Sequence, residues 1–171
     1  AKGGESGYWN PRFVYHGFRY ICIKGWNGIP EIDDITALSF YTDMDSSSLF
    51  DCGSALIRRI HENIVRTERN NLHGIATDCP QRDERLGWTG DAQVFCRTAS
   101  INYDTEKFFT KWLADVAIEQ NENGAVMGVI PRARKHGVTR VSAAWGDAAC
   151  IIPWELYLSY GNKALLRKNF P

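Results

Sequence analysis

The chain has 171 residues, 44% of them hydrophobic, and its 20 Lys and Arg are balanced by 20 Asp and Glu, so it carries no formal net charge. That balance excludes the basic excess an electrostatic nucleic-acid binder needs, and an aromatic content of 12% excludes a disordered chain. No apolar run approaches the ~20 residues of a bilayer span, so no membrane-spanning helix is predicted.

The opening Ala1-Lys2-Gly3-Gly4-Glu5-Ser6-Gly7 has neither an initiator Met nor an apolar signal core and reads as the middle of something longer. Residues 12–23, with Phe13, Val14, Tyr15, Phe18, Tyr20, Ile21 and Ile23, are rich in β-branched and aromatic side chains. Turn chemistry follows around Gly25, Gly28 and Pro30, and residues 35–42 alternate again, which predicts two strands joined by a loop.

After Asp43 the period changes. Asp51 or Ser54 can cap a helix whose Leu56, Ile57, Ile60, Ile64 and Val65 form one apolar stripe, fraying near Arg69-Asn70-Asn71. Asp91 is placed to cap a second helix carrying Val94, Phe95 and Ala99. Thr105 is placed to cap a third, in which Phe108, Phe109, Trp112, Leu113 and Val116 fit a 3.6 period and Glu122-Asn123-Gly124 marks the end. Residues 125–141 read as a loop. A fourth helix is predicted from near Ala143 through the kinking Pro153 to Tyr160, with Gly161 as its stop and Asn162 as the next cap. Strands followed by helices with no strand between them disfavour parallel α/β layouts. The last helical run, Leu165 to Phe170, is cut at Pro171 as abruptly as the chain begins, and the expectation is a fragment.

The five cysteines, at 22, 52, 79, 96 and 150, are widely spaced, with no paired Cys or His. Neither a disulfide framework nor a zinc site is predicted, and free thiols lean towards a reducing, cytoplasmic compartment without deciding against secretion. His16, His61, His73 and His136 lack ligand spacing and read as structural. The basic run Arg132, Arg134, Lys135, His136 and Arg140 reads as a solvated loop in a neutral chain.

Chemistry is densest between the first two helices, where Asp78, Asp83, Glu84 and Asp91 lie among Arg82, Arg85 and Trp88. A cap with surface ion pairs explains many such clusters. Pro80 and Gly87, which stiffen and bend the segment, weigh against that reading, as does an indole among carboxylates. Crowded carboxylates raise one another's pKa, which a general acid at neutral pH requires. Carboxylates beside indoles also suit sugars, because the oxygens accept hydroxyl hydrogen bonds while the ring packs on the C–H face. Ala144-Trp145-Gly146-Asp147-Ala148 repeats the combination, although a buried Trp near a helix start explains it equally well.

Asn71-Leu72-His73, followed by Thr77-Asp78-Cys79-Pro80-Gln81-Arg82-Asp83-Glu84-Arg85-Leu86-Gly87-Trp88-Thr89-Gly90-Asp91-Ala92-Gln93, resembles the signature of the bacterial α-L-rhamnosidases, glycoside hydrolase family 78. Residues 11–20 resemble the end of the β-sandwich that precedes the catalytic domain. Residues 144–148 and Pro153-Trp154-Glu155-Leu156-Tyr157 resemble later family segments. The resemblance implies a mainly α fold, an incomplete α/α toroid, with residues 1–45 closing a β-sandwich and 46–171 opening the toroid.

It also implies hydrolysis of terminal α-L-rhamnosyl bonds with inversion, by a carboxylic acid and a carboxylate base ~6.5–9.5 Å apart. Glu84 falls on the general acid. Asp78 and Asp91 fall on the carboxylates that hold sugar hydroxyls, and Trp88 and Trp145 on the pocket walls. Asp83 is the rival acid, because the spacing before Arg85-Leu86-Gly87-Trp88 varies by a residue, and Arg82 is a further candidate. No cofactor and no metal are implied. The partners implied are a rhamnose-containing glycoside or polysaccharide and the rest of the catalytic domain, whose distant part supplies the base. The competing expectations are a rhamnose-binding module without catalysis and a toroid glycosidase of other specificity.

Overall fold

The computed structural model of the chain describes residues 7–133 and 140–170. The terminus before Gly7, Arg134, Lys135 and His136 of the basic run, and Pro171 lie outside them. Five helices carry the fold: α1 (Ala55–Asn71), α2 (Thr89–Asn102), α3 (Glu106–Glu119), α4 (Ala148–Tyr160) and α5 (Lys163–Asn169). The mainly α architecture is as expected. None of the helices is long and apolar enough to cross a membrane.

Between the two candidate caps of α1, Ser54 is the one used: its hydroxyl accepts from the Ile57 N–H at 3.5 Å, whereas Asp51 turns to its neighbour's N–H and to Arg58. Asn162 caps α5 through the Leu165 N–H at 2.9 Å, and Gly161 ends α4 at φ 69°. Thr105 stands at the α3 N-cap, but its hydroxyl is engaged elsewhere. It meets Ser100 Oγ at 2.8 Å and Tyr160 OH at 3.2 Å, joining α2, α3 and α4 through a buried hydroxyl chain.

α4 is the hub, packing against α2, α3 and α5. The core joins Cys96 and Ala99 of α2 to Phe109, Trp112 and Leu113 of α3 and to Ile152 and Leu156 of α4. Pro153 sits in the α4 interior, where it removes one backbone donor, and its ring is buried with Ile152 and Leu156.

Several sequence expectations are corrected. α2 begins at Thr89 rather than at Asp91, which becomes the third helical residue. α3 stops at Glu119, before the Gly124 turn, and α4 starts at Ala148, five positions after Ala143. Val126, Met127, Val129 and Ile130, read as loop, are buried. They lie against the start of α2 because Thr89 N–H donates to Gly128 O at 2.9 Å and Ile130 N–H to Gly87 O at 2.8 Å, so the loop's polar backbone finds partners inside.

The two strands predicted over 12–23 and 35–42 have no ladder among the described residues, and a short 3-10 turn, Ile32–Asp34, lies between them. Phe13, Tyr20 and Leu38 are exposed. A strand is stabilised only when neighbours take up its N–H and C=O groups, and no other described segment runs alongside to do so.

Candidate active site

The loop between α1 and α2 folds on Asp78. Its N–H donates to Leu86 O at 3.1 Å and its carboxylate Oδ1 accepts from Leu86 N–H at 2.8 Å, closing the loop at both ends. Burial pushes the Asp78 carboxyl up, but hydrogen bonds from the Leu86 and Cys79 N–H groups, with the Cys79 and Glu84 side chains, outweigh it and hold it below the usual carboxylate range. Asp78 is therefore a fixed, ionised acceptor. Burial and the neighbouring Asp78 charge push the Cys79 thiol up, so it stays protonated.

Glu84 is gripped from two sides. Arg82 donates to its Oε2 through Nε at 2.9 Å and Nη2 at 2.6 Å, while the Trp88 indole N–H donates to Oε1 at 3.2 Å. Its carboxylate, the Cys79 sulfur and the Asp78 carboxylate lie within 4.8 Å of one another, a cluster that Arg82 compensates. Asp83, the rival acid, points away, its side chain 105% exposed. The geometry gathers Asp78, Arg82, Glu84 and Trp88 and leaves Asp83 outside.

Close packing around the loop requires glycine twice. A Cβ on Gly87 would lie 2.0 Å from the Ile130 carbonyl oxygen, and one on Gly90 would lie 2.9 Å from the Trp145 indole. Trp145 is thus laid over the first turn of α2. One on Gly128 would touch Trp88 at 3.7 Å and Trp145 at 3.9 Å, so the two predicted indoles flank the same residue.

Beside the loop opens a cavity of about 500 Å³, lined by Asp78, Asp91 and Trp145 together with Glu68, Asn71 and Gln93. Burial pushes the Asp91 carboxyl up, and the negative charges of Asp78 and Glu84 push it the same way. The sequence reading missed the cavity's other polar wall. Glu68 Oε1, Asn71 Oδ1 and Gln93 Oε1 are buried acceptors without a partner. One signal was available: Glu68 continues the α1 series Ile60, Ile64 at the next turn, an acid where the pattern calls for an apolar residue.

The cavity's polar wall and the Trp145 ring offer hydroxyl recognition, whereas Glu84 and Trp88 are not among its lining residues and stand next to Asp78 beside it. Comparison with known proteins agrees in kind. Residues 45–171 match the bacterial alpha-L-rhamnosidase 6 hairpin glycosidase domain and residues 1–41 the bacterial alpha-L-rhamnosidase concanavalin-like domain. An alpha-L-rhamnosidase of Formosa agariphila is 38% identical over 95% of this chain and 18% of its own.

Among solved structures, the alpha-L-rhamnosidase of Dictyoglumus thermophilum superposes with a TM-score of 0.79 at 39% identity, over 85% of this chain and 16% of that one. That of Streptomyces avermitilis, complexed with L-rhamnose, gives 0.72 at 37%, over 75% and 12%. The chain therefore spans less than a fifth of the relatives it matches. With a family model running through most of its length and relatives this similar, it belongs to the bacterial alpha-L-rhamnosidase family.

Proposed function

We propose that this chain is the acid-bearing part of an inverting α-L-rhamnosidase, with residues 1–45 closing a β-sandwich and 46–171 opening the α/α toroid. Glu84 is the general acid. Asp78 and Asp91 hold the rhamnose hydroxyls, Trp88 and Trp145 wall the pocket, and Arg82 sets the Glu84 carboxyl. The general base comes from the rest of the catalytic domain, so these residues alone do not complete a turnover.

The observation that carries this reading is the hold on Glu84: Arg82 on one oxygen, the Trp88 indole on the other, and ionised Asp78 within 4.8 Å. In the reaction the Glu84 proton passes to the glycosidic oxygen as its bond to C1 breaks. A water oxygen forms the new bond from the opposite face and gives its proton to the base. Identity above 30% to proteins named alpha-L-rhamnosidase supports rhamnose as the sugar.

Glu84→Gln in the full-length protein is expected to lower kcat/KM on a rhamnoside with a poor leaving group by about 10²- to 10⁴-fold, with rhamnose affinity nearly unchanged. Near-normal turnover would remove Glu84 from the acid role. Unaltered hydrolysis of other aryl glycosides at rhamnoside rates would replace the specificity, and rhamnose binding without any hydrolysis by the intact protein would make it a binding module. NMR of the first-formed anomer tests inversion: the α anomer appearing first would show retention.

A further inference from the structure

We propose that Tyr15 and Gly17, in the extended segment before the helices, are positioning residues for Glu84, an inference that rests on Glu84 being the acid. The loop that carries Glu84 is closed at its base by Asp78 and Leu86 and bonded within its outer part by Arg82, Glu84 and Trp88, and the segment before the helices meets that outer part at Arg85 and Gln81. Arg85, directly after Glu84, stands at φ 55°, a left-handed conformation that a non-glycine residue keeps only where its surroundings impose it.

The surroundings that impose it come from outside the helices. Arg85 donates through Nε to Arg82 O at 3.0 Å and through Nη1 to Tyr15 O at 2.8 Å, and its guanidinium lies 5.6 Å from the Tyr15 ring centre. The Tyr15 ring stacks on His73 at 4.3 Å, His73 stacks on Phe40 at 5.8 Å, and His73 Nε2 is 2.7 Å from Asn70 O at the end of α1. Phe40, His73, Tyr15 and Arg85 form one column from the segment before the helices to the acid-bearing loop.

Gly17 makes a second, independent contact. A Cβ there would lie 2.7 Å from Gln81 Cα, so the two backbones touch and any side chain displaces the loop. Neither residue offers sugar chemistry: Gly17 has no side chain, and the Tyr15 hydroxyl is buried without a partner. What they supply is the placement of the backbone on either side of Glu84.

A general acid displaced by about 1 Å loses on the order of 10²-fold in rate. The loss falls only on substrates that need the proton, because a leaving group that departs as a stable phenolate does not. In the full-length protein, Tyr15→Ala and Gly17→Ala are therefore expected to lower kcat on an alkyl α-L-rhamnoside by about 10- to 100-fold. On 2,4-dinitrophenyl α-L-rhamnoside, kcat and inhibition by rhamnose stay within about twofold. Tyr15→Phe keeps the ring and the carbonyl and restores wild-type behaviour on both substrates.

Equal losses on the two substrates, or no loss on either, would overturn the positioning role. If Gly17→Ala fails to fold, the Tyr15→Ala and Tyr15→Phe pair decides alone. Glu84→Gln measured in parallel separates the two readings. A flat response to leaving group there removes the acid assignment, whereas a steep one there with a flat one in Tyr15→Ala removes only the role of Tyr15.

Discussion

α3 and α1 carry the same sequence signal and meet opposite fates. Phe108, Phe109, Trp112, Leu113 and Val116 on α3 are all buried, whereas Leu56, Ile57, Ile60 and Ile64 on α1 remain 70%, 50%, 50% and 40% exposed. The one buried residue of α1 is an acid, Glu68. An amphipathic period names the face of a helix that needs covering; it says nothing about where the cover is. For α3 it is α4 and the 126–130 loop, both within the chain. For α1 the described residues contain none, and the rest of the catalytic domain is the partner we propose.

Substitutions on the two helices test that contrast, and the largest effect belongs to α3. Trp112 is fully buried and its indole N–H donates to Ile130 O at 3.3 Å, tying the helix to the loop that seats α2. Trp112→Ala is expected to cost about 3–5 kcal/mol in urea unfolding. A loss below about 1 kcal/mol would mean that the α3 face is no better covered than that of α1.

Next comes Glu68, the residue at which α1 departs from its own pattern. Burial pushes its carboxyl from 4.5 to about 7, and the Asn102 amide donating at 2.8 Å draws it partly back. The folded protein thus keeps the proton to higher pH than the unfolded one. The contribution of Glu68 to stability is greatest below pH 4.5 and is lost as pH rises through about 7. Glu68→Gln cannot ionise and removes that fall. The stability of the variant relative to wild type is expected to rise by on the order of 3 kcal/mol between about pH 4 and pH 8. Parallel stability curves across that range would show that Glu68 is not held as described.

How much of this was legible beforehand depended on the range of the interaction. The α3 stripe, the cap at Asn162 and the stop at Gly161 are set by residues within a turn or two and were readable, and the α1 cap was narrowed to Asp51 or Ser54. Residues 77–91 stood out by their mixture of carboxylates and indole, but that Glu84 turns to Trp88 while Asp83 is exposed depends on side-chain directions that spacing does not contain.

Val126 to Ile130 is a loop as read, but its burial was hidden because its hydrogen-bond partners, Thr89 and Gly87, lie far away in sequence. The same limit hid the Tyr15 to Arg85 column, since an aromatic in a β-like run gives no hint of a distant guanidinium. Strand pattern at 12–23 reported a preference for pairing, and preference forms no ladder without a neighbour.

The smallest expected effect is the sharpest test of the contrast, because it changes with context. Ile60 is half exposed on α1, so truncation to Ala gives up little burial, and Ala's higher helix propensity offsets part of that. In the 171-residue chain Ile60→Ala is expected to shift stability by no more than about 0.5 kcal/mol. In the full-length protein, with α1 covered as proposed, the same change removes a buried side chain and costs about 2–5 kcal/mol. The difference between the two measurements is the contribution of the cover itself. A small effect in both contexts would mean that the α1 face stays open to water in the full-length protein, and its apolar stripe would then need another explanation.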